Sequence, residues 1–233
     1  TAGMNTINWI KLAAKPAANE ITLVAAGTSG EANALVWNGS AWGNENNLTA
    51  SSNLYTYNQE SIGVDYMRAG AQMGKSVVFW ASNALYAKVW NGSSWGGADY
   101  SVSTDSDIRW IRPKADPSSD KIAVLYLNSR NGLWLYVRKG TSWFTSAGSF
   151  TFSGNATYNR PFDLIFETGI YGCSCYSAGE CMGDILLVYA GATELRSNHC
   201  TLASASTYSC ASGVNVRSGV THQAYWVQLE RDP

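Results

Sequence analysis

Apolar residues fall in short runs of roughly four to eight, bounded by clusters of Asn, Gly, Ser, Asp and Pro, which is the pattern of strands and turns. Leu133, Leu135 and Val137 alternate with Trp134, Tyr136 and Arg138, so the two sets occupy opposite faces of one strand. Ile185-Leu186-Leu187-Val188-Tyr189-Ala190 is a continuous run of strand length. Helical periodicity is poor throughout. No run approaches the roughly 18–20 apolar residues of a membrane-spanning helix. The pattern predicts an all-β chain.

The runs repeat. Trp37-Asn38-Gly39-Ser40-Ala41-Trp42 returns as Trp90-Asn91-Gly92-Ser93-Ser94-Trp95 and, more weakly, as Arg138-Lys139-Gly140-Thr141-Ser142-Trp143. An earlier element, Ile7-Asn8-Trp9-Ile10-Lys11, matches Ile108-Arg109-Trp110-Ile111-Arg112, with Val64-Asp65-Tyr66-Met67-Arg68 between them. Strands at Glu20–Val24, Lys75–Phe79 and Lys121–Leu125 follow these elements. A fourth, degenerate copy begins at Phe162-Asp163-Leu164-Ile165-Phe166 and continues at Asp184-Ile185-Leu186-Leu187-Val188. An insertion, about 168–183, separates its two parts and carries three Cys. Asn-Gly between β segments predicts a type I′ hairpin, with positive φ at both central residues. Pro117-Ser118-Ser119-Asp120 predicts a tight turn with φ preset by Pro.

Four strands per repeat of about 50 residues is the size of a propeller blade. The expected fold is a single all-β domain over 1–233, a propeller-like array of four four-stranded repeats (5–53, 54–103, 104–155 and 156–219) plus an extra C-terminal strand in 220–233. A β-sandwich or an open repeat array is the alternative. The Trp-Asn-Gly-Ser-x-Trp hairpins, with a Trp near each first strand, resemble the β-propeller-like repeats of secreted microbial surface proteins. The match is good over about 5–150 and loose over 156–233. It implies a propeller-like fold and an extracellular setting, and no activity. The chain starts at Thr1 with neither an initiator Met nor a signal peptide, which reads as a processed or excised product.

The last segment matters because Ala224-Tyr225-Trp226-Val227-Gln228-Leu229 reads as the first strand of a further repeat. Its backbone donors and acceptors need partners. The expected solution is pairing of Tyr225, Trp226, Val227 and Leu229 with an edge strand of another copy, giving self-assembly into a filament.

Composition narrows the function. Lys+Arg is 16 and Asp+Glu is 17, for a net charge of −1, which argues against nucleic-acid binding. Charged residues are only 14% of the chain, below the usual ~25%. The five cysteines, Cys173, Cys175, Cys181, Cys200 and Cys210, all lie in the last repeat. They read as two disulfides and one leftover, with Cys200 and Cys210 able to pair across adjacent strands. Disulfides imply an oxidising, extracellular compartment. The competing reading is a metal site built from Cys173, Cys175, Cys181, His199 and Cys200, but the spacing fits no common zinc pattern. Asn38, Asn47, Asn91 and Asn155 head Asn-x-Ser/Thr sequons and are the glycosylation candidates, although Asn-Gly-Ser is also ordinary turn chemistry.

Nothing in the chain reads as catalytic. There are two His, and neither a Gly-x-Ser-x-Gly elbow, a His-Glu-x-x-His helix nor a phosphate-binding glycine loop. Asp105 with Asp107, and Asp116 with Asp120, are the candidates for a carboxylate pair or a calcium loop. Trp9, Trp110 and Trp226 sit in apolar strands and are expected in the core. Trp42, Trp95 and Trp143 recur near the turns. They are expected mainly to wedge between sheets, with sugar stacking as the functional reading. The expectation is an extracellular structural or adhesive module whose partner is itself, or alternatively a carbohydrate-binding propeller with surface glycans as partners. A non-catalytic part of a surface enzyme comes third.

Overall fold

The computed structural model describes residues 4–49, 54, 59–81, 84–96, 100–104, 106–139, 142–151, 160–167, 173–175, 181–190, 194–204, 207–211, 213–218 and 226–230. It is built almost entirely of antiparallel sheets, as the alternation requires. Blade one contains β1 (Ile7–Ala14), β2 (Ile21–Gly27), β3 (Ala32–Trp37) and β4 (Trp42–Asn47). Blade two contains β5 (Ile62–Tyr66), β6 (Ser76–Ala81), β7 (Ala84–Trp90) and β8 (Tyr100–Ser103). Blade three contains β9 (Ile108–Ala115), β10 (Lys121–Asn128), β11 (Gly132–Lys139) and β12 (Ser142–Thr151). In each, strands pair in chain order.

Blade four departs from this order. Between β13 (Phe162–Phe166) and β16 (Ile185–Ala190), the inserted segment forms a small separate hairpin of β14 (Cys173–Cys175) and β15 (Cys181–Gly183). The long β17 (Glu194–Ser204) then pairs with β18 (Thr207–Cys210) along one half and with β19 (Val214–Ser218) along the other. The extra strand of this sheet is therefore β19. Residues 226–230 run beside β13, where Trp226 makes a single parallel bridge to Arg160.

β1, β5, β9 and β13 are the inner strands and contact one another in sequence. Each blade has a front face, turned toward the preceding blade, and a back face. Thr22, Val24, Ala26, Ala32, Ala34 and Val36 form the back of blade one. Four of them (Val24, Ala26, Ala32 and Ala34) pack with Ile62, Val64, Val78 and Trp80 of blade two. Phe79, Ala81 and Leu85 of blade two meet Ile111, Ile122 and Tyr126 of blade three. Leu125, Leu127 and Leu133 of blade three meet Phe162, Leu164 and Leu187 of blade four. These stacked cores hold the array together. Between blades two and three the inner strands approach so closely that a Cβ on Gly63 would lie 2.6 Å from Pro113 Cδ. Pro113 is tolerated in β9 because that strand is a sheet edge.

The Asn-Gly hairpins differ from the expected type I′. Positive φ falls on Gly39 (100°) and Gly92 (99°), and Asn38 and Asn91 stay in the ordinary region. The central pair of each turn is Gly-Ser, closed by Asn38 N–H to Ala41 O and Asn91 N–H to Ser94 O, both 3.1 Å. A Gly with positive φ at the first central position matches a II′ turn. The Asn side chain explains the shift, because Asn38 Oδ1 accepts from Ser40 N, Ser40 Oγ and Ala41 N, and Asn91 Oδ1 repeats all three bonds.

Candidate functional site

The inner strands carry a second alternation that brings charges toward the axis. Arg112 and Lys114 alternate with Ile111, Pro113 and Ala115 on β9; Asp65 occupies β5 and Asp163 occupies β13. Where β5, β9 and β13 end, they surround a cavity of about 300 Å³. It is lined by Asp65, Arg68, Lys114, Pro117, Ile165 and Phe166, and by Glu230 of the C-terminal segment.

Most of these charges are already engaged. Asp65 is buried and accepts from its neighbour Tyr66 N (2.8 Å) and, across the blades, from Ala115 N (2.8 Å). Arg68 Nη2 lies 3.5 Å from Asp65 Oδ1. Deeper along the axis, Arg112 Nε donates to the fully buried Asp163 at 2.8 Å. Asp163 also accepts from Leu164 N and from Leu229 N, which pins the C-terminal segment against β13. Glu60 pairs with Lys11 at 2.8 Å and faces Arg160 at 3.9 Å. Lys114 is the exception, because it has no ion pair among the described residues. Burial, and next the neighbouring Arg112 charge, push its ammonium below the usual lysine range. A half-buried lysine at a small cavity offers one strong donor to an incoming carboxylate or hydroxyl.

These pocket residues were not singled out from the sequence. The available signal was charged residues alternating along strands whose other residues are apolar.

The tryptophans divide by blade. Trp143 meets Phe79 edge-on at 6.0 Å between blades two and three. Trp95 packs at the junction of blades one and two, where its Nε1–H donates to Asn44 O at 2.6 Å. Trp42 holds the equivalent place in blade one, tilted at 56° against Trp37 with ring centroids 5.8 Å apart, and is 44% exposed. Trp95 and Trp143 are thus inter-blade wedges, and among the described residues no blade lies against Trp42. Trp110 is fully buried as expected, and Trp9 is half-buried against it. Trp226 departs from the expectation of a core residue. It is 48% exposed, because no described sheet lies beyond it at the inner edge of blade four, where its ring sits 4.2 Å from the Arg160 guanidinium. Of the strand expected to pair with another copy, Trp226 and Leu229 find partners within the chain, at Arg160 and Asp163. Tyr225 lies outside the described residues.

Cys200 and Cys210 face each other on β17 and β18 and form a disulfide. This removes Cys200 from any thiolate metal site. Cys175 and Cys181 are register partners on β14 and β15, as Cys173 is of Gly183, and the side chains of these three cysteines lie outside the described residues. His199 instead meets carboxylates, with Nε2 3.2 Å from Glu167 and 3.4 Å from Asp184. These three offer a nitrogen and two oxygens within 4.8 Å of one another, a donor set of the kind divalent cations accept. Of the calcium candidates, Asp116 spends its carboxylate on Ser118 N, Ser118 Oγ and Ser119 Oγ within its own turn. Asp105 lies outside the described residues. Among the sequons, Asn38, Asn47 and Asn91 are exposed, and Asn155 lies outside the described residues.

No protein-family model and no curated protein matches the sequence. Solved structures do match. A six-bladed β-propeller fungal lectin from Aleuria aurantia aligns with TM-score 0.52 and 14% identity, over 90% of this chain and 62% of the lectin. A variant of that lectin in complex with Fucα1-6GlcNAc aligns with TM-score 0.52 and 12% identity, over 90% of this chain and 61% of the other. The likeness shows a propeller fold. The chain spans about 61% of the length of these lectins. No helix among the described residues is long and apolar enough to cross a membrane.

Proposed function

We propose that this chain is a non-catalytic, carbohydrate-binding propeller module that works outside the cell and takes an acidic sugar in its axial cavity. The observation that carries the reading is Lys114, a half-buried ammonium without an ion-pair partner among the described residues, at a cavity of about 300 Å³. Ligand sites begin at about this size, and a six-membered carbon ring fills roughly 150 Å³. One pyranose therefore fits. Its carboxylate pairs with Lys114 and its hydroxyls meet Arg68, Asp65 and Glu230. The fold supports the reading, because its structural neighbours include lectins crystallised with fucosides. The Cys200–Cys210 disulfide suits an oxidising compartment.

The test is calorimetric titration with glucuronate and with neutral glucose and fucose. The expected result is glucuronate binding that weakens at least about tenfold in Lys114→Gln, the loss of one charge-assisted hydrogen bond. Absence of binding by all three sugars would sink the reading. Fucose binding unchanged in Lys114→Gln would keep a lectin and remove this cavity from it.

A further inference from the structure

Two positions set blade four apart from the other blades. One step beyond the last register pair of its inner strand, each blade makes a further backbone bond: Lys15 N–H to Glu20 O, Met67 N–H to Lys75 O, Asp116 N–H to Lys121 O and Glu167 N–H to Asp184 O, all 2.8–2.9 Å. The two residues so joined stand opposite each other on neighbouring strands. Blades one and three put a cation against an anion there, with Lys15 Nζ 3.4 Å from Glu20 Oε1, and blade two puts Met67 against Lys75. Blade four puts carboxylate against carboxylate, an arrangement that repels. A second position departs with it. The residues paired with Thr22, Val77 and Ala123 on the third strand are Val36, Val89 and Val137, and the residue paired with Leu186 is His199.

These departures converge on one point. Leu186 lies two residues along β16 from Asp184, so its partner His199 shares a face of the sheet with Asp184. His199 Nε2 lies 3.2 Å from Glu167 Oε2 and 3.4 Å from Asp184 Oδ2, and the three atoms all lie within 4.8 Å of one another. A tetrahedral ion with legs of about 2.0–2.1 Å spans edges of roughly 3.3–3.4 Å, which the two imidazole edges match. The backbone holds each donor in place. The ladder bond fixes Glu167 against Asp184, whose side chain is buried. Ala211 N–H donates to His199 O at 2.9 Å, and the next residue, Cys200, is disulfide-bonded to Cys210.

We propose that Glu167, Asp184 and His199 bind a divalent cation of the zinc class, which neutralises the opposed carboxylates and cross-links β13, β16 and β17. One imidazole nitrogen with two carboxylate oxygens is a donor set that suits zinc. Calcium and magnesium take oxygen ligands, and more of them. All three ligands come from blade four, on strands that are neighbours in its sheet, so the set is complete within one blade. Three protein ligands leave the fourth tetrahedral position to water.

Calorimetric titration of the full chain, stripped of metal by a chelator, with zinc chloride and separately with calcium chloride tests this. The expected result is saturable zinc binding, calcium binding weaker by at least about a hundredfold, and a melting temperature that zinc raises. Loss of a group that only holds a ligand in place typically costs ~10–100-fold in metal affinity, so Glu167→Gln, Asp184→Asn and His199→Val are each expected to weaken zinc at least about tenfold. The amides keep the size of the carboxylates, and valine is what the other three blades carry at the histidine position. Melting curves without metal identify any variant that has lost its fold, and the other two then decide. Cobalt(II) separates this site from the cysteines, because ligands of nitrogen and oxygen give visible bands without the near-ultraviolet thiolate band. Absence of zinc binding overturns the proposal, since a protonated His199 then satisfies both carboxylates by itself. Zinc affinity unmoved by all three variants overturns it as well, as does a cobalt spectrum that carries the thiolate band and is unchanged in His199→Val. Calcium binding as tight as zinc overturns the class of cation.

Discussion

Tyr66 carries a hydroxyl into a site with no exposed surface. The hydroxyl meets Thr22 Oγ1 at 2.7 Å and donates to Glu20 at 3.1 Å, while Thr22 also meets Ser76 at 2.8 Å. Burial, with the Glu20 charge adding to it, pushes the phenol up to about 12. Below pH 10 both folded and unfolded chains keep this proton, and stability is unaffected. Between about 10 and 12 the unfolded chain loses it and the folded chain does not, so folding stability falls with rising pH, by up to about 2–3 kcal/mol. Tyr66→Phe is expected to cost about 1–2 kcal/mol at pH 7, where Thr22 and Glu20 lose a partner, and to be less sensitive to alkali. Urea unfolding of both proteins at pH 7 and pH 11 checks this. Equal alkaline losses in the two would count against the assignment. Tyr208 is shifted in the same direction by burial, so the variant's curve is flatter but not flat. Gly39 tests backbone geometry by itself. At φ +100° an added Cβ is strained, and it would also sit 3.2 Å from Asn19 O, so Gly39→Ala is expected to cost about 1–2 kcal/mol in the same assay.

At the level of elements, the tryptophan-bearing hairpin is a device for joining blades. Its turn is set by Asn38 or Asn91, its Trp closes the strand pair, and in blade two that Trp, Trp95, packs against blade one. Trp95→Ala is therefore expected to destabilise the fold by about 2–3 kcal/mol, through the lost wedge between blades one and two, and to leave sugar affinity unchanged. Trp42→Ala is expected to cost less than about 1 kcal/mol, because its ring is nearly half exposed. Thermal melts give both values, and equal costs would contradict the division between wedge and free face. The hairpin's existence and the strands around it were legible in the sequence, because a repeated Asn-Gly-Ser between alternating strands has few other conformations. Its turn type was not, because three hydrogen bonds to one Asn side chain outweigh the backbone preference of the dipeptide. The disulfide is a similar case. Cys200 and Cys210 stand on adjacent strands at matching register, which spacing alone suggested. The last part of blade four was not legible, because β17 serves two partners in turn and no local pattern announces a strand shared that way.

Across the whole molecule, the repeat made the blades visible, and the axial cavity could not be seen in the same way. Its lining comes from single residues, Asp65, Lys114 and Ile165, that lie far apart in the chain and meet only because three inner strands end at one place. The same accounting predicts an order of opening. Blade three is covered on both faces, and every residue of β10 is buried. Among the described residues blade one is packed by another blade on its back alone, and its contribution there is small side chains, Ala26, Ala32 and Ala34 beside Val24. Local opening is cheapest where little apolar surface must be exposed. Amide hydrogen exchange on the dilute chain is therefore expected to be fastest in β1–β4 and slowest in β9–β11, with blades two and four between them. A uniform rate over all four sheets would mean that the blades open as one unit.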